Sequence, residues 1–275
     1  LLIRVLEAGF AGLSIAPGPR ALDHQALRTA ARDLPWSFAC VRVGDPLADR
    51  SATAGLASAR DGDRLAALAN VERAVAAARV LGCPRIVLDP GIVPVTGDVE
   101  AEDLGDPTTQ WTHDRAQPLL ARRKVGRNAA VDRACRELFG IARAFPDITL
   151  CLTQNRSLRA VADVDGLRDI FEDLGNLRLG YWHDAAIAAR REQVLGEAQG
   201  EWLETFGSRL HGMSLGDASP DGLHLPPGAG GVDYGLLAGY VPRTGQPLPV
   251  VLELDLSVHP SEMPGMRSCL DKFGL

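Results

Sequence analysis

The chain has 275 residues, enough for one large α/β domain. Hydrophobic residues make up 46% of it and charged residues 23%, a balance typical of globular proteins and not of a membrane protein. The net charge is −6, so a nucleic-acid-binding surface, which would need basic excess, is not expected. The five cysteines are scattered without a CxxC motif, which predicts reduced, packed thiols in a cytoplasmic protein and no disulfide frame or zinc site.

Helical and strand patterns alternate along the whole chain. Short apolar runs of strand length recur, and they are "FAGLSIAP", "WSFACVRVG", "PRIVLDPG", residues 148–153, "LRLGYWHD", "RLHGMSLGD" and "PVVLELD". Longer amphipathic segments predict helices, and they are "LLIRVLEAG", "RALDHQALRTAARDL", "DRLAALANVERAVAAARVLG", "PLLARRKVGRNAAVDRACRELFGIARAF" and residues 157–174, 185–206, 233–240 and 260–273. A polar stretch from about 92 to 118, rich in Pro, Gly, Asp and Thr, predicts a long loop.

This alternation is typical of either a (β/α)8 barrel or a doubly wound sheet. The apolar runs are nearly continuous, as expected for parallel strands covered on both faces. Polar residues cluster just after the strands, and no GxGxxG or GxxxxGK[ST] motif is present, so the TIM-type barrel is favoured. We predict one such domain over residues 1–275. Because seven strands are found, the first barrel strand is expected to be missing from this sequence.

Chemistry in such barrels sits at the strand ends. The polar side chains near these positions are Ser14, Arg42, Asp45, Asp89, Gln154, Asn155, Arg156, His183, Asp184, Ser214, Asp217, His224, Glu253 and Asp255. Carboxylates and imidazoles that converge from several strands are the ligand types of a divalent-metal site. Such a metal polarises hydroxyl and carbonyl groups for proton or hydride shifts.

Five segments resemble the xylose isomerase-like (sugar phosphate isomerase/epimerase) TIM barrels, in the family's order and spacing. They are "VERAVAAARVLGCPRIVLDPG", "DITLCLTQN", "NLRLGYWHDAAIA", "LHGMSLGD…LHLPPGAGGVDYGLL" and "PVVLELD". The resemblance covers nearly the whole chain and implies the barrel fold. It also implies a metal-stabilised enediolate mechanism for enzymes that keep the family's ligands.

The positions that the resemblance assigns to the metal are only partly kept. The family's Glu after its fifth strand falls on Gln154, its Asp after the sixth on Asp184, and its Glu after the eighth on Glu253. The seventh-strand His falls on Ser214, and a second His of that motif on Gly216. A substrate-contacting His falls on Ile187. Gln154 keeps the shape of a glutamate without its charge, and its NH2 group is a donor that repels a cation.

Two hypotheses follow for function. The first is a barrel with a degenerate metal site that binds a small sugar-like or polyol-like ligand, without catalysis or with altered chemistry. The second is a divalent-metal-dependent sugar (phosphate) isomerase or epimerase with a non-standard metal shell. The expected catalytic residues are Glu253, Asp184 and His224, and the expected metal ligands are Asp184 and Glu253. The expected ligand-binding residues are Gln154, Asn155, Arg156, Ser214, Asp217 and Arg42.

The expected cofactor is either none or a weakly bound Mn, Mg, Co or Zn ion. The expected partner is a small polar molecule, with no nucleic acid and no membrane, and a homo-oligomer is compatible with the fold.

Each candidate also has a structural interpretation. Asp184 and Glu253 are equally compatible with ion pairs inside the barrel mouth, to Arg42 or Arg156. His183 follows the alternation of its strand, so its side chain should point to the helices. Asp89 starts an Asp-Pro-Gly turn. The 92–118 segment is either a lid over the site, a solvated insertion or a dimer contact.

Overall fold

A computed structural model describes residues 2–16, 22–44, 55–242, 244–245 and 247–275. Its strands are β1 (Gly12–Ile15), β2 (Ser37–Arg42), β3 (Arg85–Leu88), β4 (Thr149–Thr153), β5 (Leu179–Asp184), β6 (Leu210–Leu215), β7 (Asp217–Ser219), β8 (Gly222–Leu225) and β9 (Val250–Leu252). Its helices are α1 (Leu2–Glu7), α2 (His24–Ala31), α3 (Asp61–Leu81), α4 (His113–Ala144), α5 (Val164–Asp173), α6 (Ala185–Leu195), α7 (Gln199–Phe206), α8 (Tyr234–Ala238) and α9 (Met263–Asp271).

Seven parallel strands form one sheet in the order β1-β2-β3-β4-β5-β6-β9. Helices follow the strands and cover the outer face, so the sheet curls into a nearly closed barrel with β1 and β9 at its seam. Pairing between β1 and β9 is absent among the described residues. The predicted TIM-type barrel is therefore confirmed.

The barrel interior and the helical layer form the core. Every residue of β4 and β5 is buried, as the continuous apolar runs predicted. Inside the barrel, Cys40, Val87, Cys151 and Trp182 pack together. Burial raises the pKa of the Cys40 thiol to about 12, which keeps it protonated. All five cysteines are free, and four of them are buried, in agreement with packed thiols.

Most predicted elements are present, and the main differences concern two predicted helices and one hairpin; α4 also begins at His113, inside the loop predicted over 92–118. The helix predicted over 157–174 begins only at Val164, because residues 157–161 bond instead to the chain around 91–104. The helix predicted over 185–206 is two helices, because Gly196 ends the first with a φ of 76°. The loop after β6 contains the β7–β8 hairpin, which was not predicted.

The long segment before α4 folds back over the end of β4. Ile92 and Asp103 form bridges to Ala160 and Ser157. Leu104 packs with residues of α4 and α6 in a separate small core. This segment is therefore packed against the barrel rather than being a solvated insertion. Among the described helices, none has both the length and the apolar character needed to cross a membrane.

Candidate functional site

A cavity of about 330 Å³ opens at the carboxyl ends of the strands. Its wall combines an apolar side with converging polar groups, the composition usual for small-ligand pockets. The predicted residues that line it are Arg42, Asp89, Gln154, Asn155, Arg156, Asp184, Ile187 and His224. Leu56, Val71 and Leu88 are among the apolar residues that line it. The sequence thus brought the strand-end residues to one place, as parallel topology requires.

Asp184 and His224 form a buried pair at the cavity wall. The distance from Asp184 Oδ2 to His224 Nε2 is 3.2 Å. Burial opposes ionisation of Asp184, yet the imidazole and Arg42 outweigh it and lower the pKa of that carboxyl to about 2. Burial likewise opposes protonation of His224, but Asp184 raises its pKa above the usual value. The pair is therefore a carboxylate with an imidazole held toward its charged form.

The alternation of β5 explains how Asp184 reaches the cavity. Trp182 and Asp184 point into the barrel, while Tyr181 and His183 lie on the opposite face, where Tyr181 packs against Phe206. Asp184 also ends β5 and begins α6, and its Oδ1 accepts the backbone N–H of Ile187 at 3.1 Å. The predicted orientation of His183 toward the helices is confirmed.

Gln154 is fully engaged by protein partners. Its Oε1 accepts the backbone N–H of Asp184 at 2.9 Å, and its Nε2 donates to the hydroxyl of Tyr181 at 2.8 Å. The Tyr181 hydroxyl lies 2.8 Å from Nδ1 of His183, so it can donate onward to that nitrogen. Burial lowers the pKa of His183 to about 4 and keeps it neutral. An ionised glutamate at position 154 could not donate the first hydrogen bond of this series, which explains why a neutral amide occupies the position.

Arg42 reaches across the barrel mouth from β2. Its Nη1 donates to Glu253 Oε2 at 2.9 Å and to the hydroxyl of Ser214 at 3.3 Å. Ser214 also accepts from the indole N–H of Trp182 at 2.9 Å. Desolvation would lower the pKa of Arg42, but the carboxylates of Glu253 and Asp184 raise it. One of the two predicted ion-pair partners of Glu253 is therefore confirmed, and Ser214 is placed behind the cavity wall.

Asp217 organises the loop that carries His224. Its carboxylate accepts backbone N–H groups of Ala218, Gly228 and Val232 at 2.9, 2.9 and 3.0 Å. It does not line the cavity, although it was predicted to bind ligand. The glycines of "PPGAGG" wrap this carboxylate: a Cβ at Gly230 would lie 2.2 Å from the carbonyl oxygen of Ala218.

Asp89 has both roles that the sequence allowed. Its Oδ1 accepts the N–H of Gly91 at 2.8 Å, which makes the predicted turn. It also lines the cavity, where burial raises the pKa of its carboxyl although the side chain of Asn155 hydrogen-bonds to it. Arg156 lies at the rim, paired with Asp103 at 2.5 Å, and so differs from the predicted pairing with Asp184 or Glu253.

The remaining candidates lie away from the cavity or outside the described residues. The Ser14 hydroxyl is 3.1 Å from the Cys40 thiol. Asp255 follows β9, and its Oδ1 accepts the N–H of Ser257. Asp45 lies outside the described residues. Sequence reasoning missed Tyr181 and Trp182, whose polar atoms position the site; their place in an apolar strand gave no polar signal.

The fit of a divalent cation can be tested on the donor atoms. Ligand atoms of Asp184, His224 and Glu253 all lie within 4.8 Å of one another, a donor set that suits such an ion. However, Glu253 is already hydrogen-bonded to the Arg42 guanidinium, a cation that does not lose its proton. A second, divalent cation beside it would be strongly repelled. The donor types fit a metal ion, whereas the charge around them does not.

Comparisons with known proteins agree on the fold. No family model and no curated protein matches the sequence. A D-tagatose 3-epimerase-like protein has a TM-score of 0.71 at 15% identity, covering 99% of this chain and 91% of that one. A xylose isomerase domain protein from Planctomyces limnophilus has a TM-score of 0.64 at 16% identity, covering 98% and 88%.

A probable 3-DHS dehydratase, AsbF from Bacillus anthracis, has a TM-score of 0.64 at 11% identity, covering 98% of this chain and 92% of that one. At these identities the likeness shows the fold alone. The chain therefore has the xylose isomerase-like barrel fold that the sequence resemblance implied. Because similar folds include an epimerase-like protein and a dehydratase, the chemistry has to be argued from the site.

Proposed function

We propose that this barrel binds a small, uncharged, polyhydroxylated ligand of sugar or polyol type in the cavity at the strand ends, and that it does so without a bound metal. The single observation that carries the proposal is the Arg42–Glu253 ion pair beside the Asp184–His224 pair. Arg42, Asp184 and His224 line the cavity and supply donors and acceptors to a ligand, while Glu253 beside the cavity balances the charge of Arg42.

The size of the cavity supports a ligand of this class. At about 330 Å³ it is at the small end of ligand pockets, which run from about 300 to 1,000 Å³. Hydroxyl groups both donate and accept hydrogen bonds, so they suit a wall where amides, carboxylates and a guanidinium meet. The apolar side formed by Leu56, Val71 and Leu88 suits the carbon skeleton of the same ligand.

The charges favour an uncharged ligand. Two carboxylates, Asp184 and Glu253, face one guanidinium and an imidazole whose pKa is raised. At the rim, Glu102 pairs with Arg159 and Asp103 with Arg156. A phosphorylated ligand would need an unmatched cation, because a buried phosphate is stabilised mainly by Arg or Lys.

Thermal unfolding in EDTA with a panel of unphosphorylated pentoses, hexoses and polyols tests the proposal. We expect at least one compound to raise the melting temperature in a concentration-dependent way. Ala66→Trp should abolish the shift, because Ala66 is exposed and lines the cavity. Ala76→Trp is the matched control on the same helix; Ala76 is exposed and does not line the cavity. A null result across the panel, with the wild type folded, would refute the proposal.

A divalent-metal-dependent sugar isomerase or epimerase is the second candidate. The observation that favours it is the convergence of ligand atoms from Asp184, His224 and Glu253 within 4.8 Å. Elemental mass spectrometry of protein purified without chelator separates the two candidates. Near-stoichiometric Mn, Co or Zn that is lost in Asp184→Ala and Glu253→Ala would establish the second candidate.

A further inference from the structure

We propose that Arg42 is a resident cation that closes a latent divalent-metal site formed by Asp184, His224 and Glu253. The inference deepens the proposed function, since it explains why ligand binding there would be metal-free. It predicts that removal of one guanidinium converts a site that does not hold a metal into one that does.

The three donors converge from separate parts of the fold. Asp184 ends β5, His224 lies in β8, and Glu253 directly follows β9. Asp184 and His224 are buried, and Glu253 is half-buried. Two carboxylates and an imidazole, presented by separate elements around one point, form three sides of a coordination shell.

The guanidinium of Arg42 lies among the same groups. Arg42 is 8% exposed, and its Nη1 is 2.9 Å from Oε2 of Glu253. The same nitrogen donates to the hydroxyl of Ser214 in β6. β6 pairs with β9, the strand that Glu253 follows, through Ser214 and Val251. The position of the Arg42 guanidinium is therefore fixed by hydrogen bonds to Ser214 and Glu253, across the barrel mouth from β2. A flexible surface arginine would not be held in this way.

The guanidinium of Arg42 and a divalent metal ion exclude each other from this site electrostatically. Buried carboxylates require a compensating positive charge, and Arg42 supplies it beside Glu253. A metal ion would have to displace this guanidinium from its acceptor or remain next to it uncompensated. With Arg42 replaced by a neutral residue, Glu253 regains an unbalanced charge, and a divalent ion becomes the favoured partner.

The experiment compares metal binding by the wild type and by Arg42→Met, a neutral residue of similar length. Zn2+ and Mn2+ are titrated into chelator-treated protein, followed by elemental mass spectrometry and thermal unfolding. We expect the variant to gain about one ion per chain and at least about a hundredfold in apparent affinity, because a released buried carboxylate binds a cation far more strongly than a paired one. Metal should also raise the melting temperature of the variant and not of the wild type.

Two controls define the site. Arg156→Met removes the arginine at the cavity rim, which pairs with Asp103, and should gain no metal affinity. The double variant Arg42→Met/Glu253→Gln should lose the gained affinity, because the third donor is neutralised. If Arg42→Met does not fold, Arg42→Gln provides a second neutral variant whose amide can still donate to Glu253.

The outcomes separate this inference from the proposed function. Stoichiometric metal in the wild type, or a folded neutral variant with unchanged affinity for both ions, would overturn the latent-site inference. Sugar-dependent thermal shifts in EDTA report only on ligand binding by the wild type. The metal-binding experiment can therefore contradict the latent-site inference while the thermal shifts still show ligand binding, and the reverse is also possible.

Discussion

His224 faces Asp184 at 3.2 Å with a backbone φ of 57°, which makes it the one non-glycine residue with positive φ in the part of the chain that the structure describes. Left-handed backbone is disfavoured for side chains with a Cβ, and histidine tolerates it better than most. The backbone strain is held at a candidate functional position, where such strain commonly occurs. The carbonyl of His224 also accepts the N–H of Asp255 at 2.9 Å, which fixes the unusual conformation.

Two substitutions at His224 separate the effect of its backbone conformation on stability from the effect of its imidazole. Asn also adopts the left-handed region, so His224→Asn should fold and lose only the contact to Asp184. His224→Val should be less stable than His224→Asn by a further ~1–3 kcal/mol, because a β-branched residue is strained there. Urea unfolding measures the difference. Equal stability of both variants would contradict a role for the backbone conformation.

The stability that the two buried histidines contribute should be greatest near pH 6.5, because their pKa values are shifted in opposite directions. His183 has a folded pKa of about 4 against 6.5 unfolded, so the unfolded chain binds the proton first and stability falls as the pH drops through that window. His224 has a raised pKa, so its contribution is complete below about 6.5 and is lost as the pH rises through its folded value.

Variants assign the two limbs of that pH profile. His183→Asn, which keeps an acceptor for Tyr181, should flatten the acidic limb, by on the order of 3 kcal/mol between pH 6.5 and 4. His224→Asn should flatten the alkaline limb. Chemical denaturation at a series of pH values gives both profiles. A profile of His183→Asn that matches the wild type would show that His183 is not held neutral.

Gln154→Glu should destabilise the protein at neutral pH. The change removes the donor to Tyr181 and places a buried carboxylate beside the Tyr181 hydroxyl and the backbone N–H of Asp184, with no cation from the described residues bonded to it. The expected loss is about 1–3 kcal/mol, the cost of an unsatisfied buried group. The deficit should shrink as the pH falls, since burial raises the pKa of the new carboxyl. Tyr181→Phe is the control: it also breaks this hydrogen bond but should add no pH dependence.

Asp217→Asn should loosen the loop that follows β8. An amide cannot accept all three backbone N–H groups that the carboxylate binds, and its NH2 would face a donor. We expect a loss of about 1–3 kcal/mol and faster proteolysis between residues 226 and 232. Asp221→Asn, at the exposed hairpin turn, is the matched control and should match the wild type. An unchanged cleavage rate in Asp217→Asn would exclude this supporting role.

The barrel strands were predictable from their apolar runs, which are clearest in β4 and β5, where every residue is buried. The apolar run that ends at Asp184 predicted the last residue of β5, although the strand begins at Leu179 and not at Leu177, and Gly82 marked the end of α3 with a φ of 69°. Helix boundaries were less predictable where tertiary bonds decide them. The chain at 157–161 has helical composition but pairs with the segment around 91–104, which no local pattern records.

The sequence predicted which residues meet at the site, but not which hydrogen bonds and ion pairs they form there. Parallel topology brought Arg42, Asp184 and His224 together, as expected from their strand-end positions. Glu253 pairs with Arg42 and not with Arg156 because of distances across the barrel, which local sequence does not encode, so the two arginines were equally plausible partners. Asp217 was expected at the site because it follows a strand, whereas its backbone partners come from a loop whose fold no local pattern records.

The tie between Arg42 and Glu253 also constrains which mutational paths are open to this barrel. Loss of Arg42 alone leaves a carboxylate uncompensated, and gain of a further acidic or imidazole ligand alone meets a site whose charge is already balanced. Loss of Arg42 should therefore be deleterious where no divalent ion is available and tolerated where an ion can take the place of the guanidinium, and a further ligand should strengthen metal binding only after that loss. Double-mutant cycles detect such a coupling, and measurements on single variants in the absence of metal would underestimate how near the metal-free and metal-bound forms of the site are.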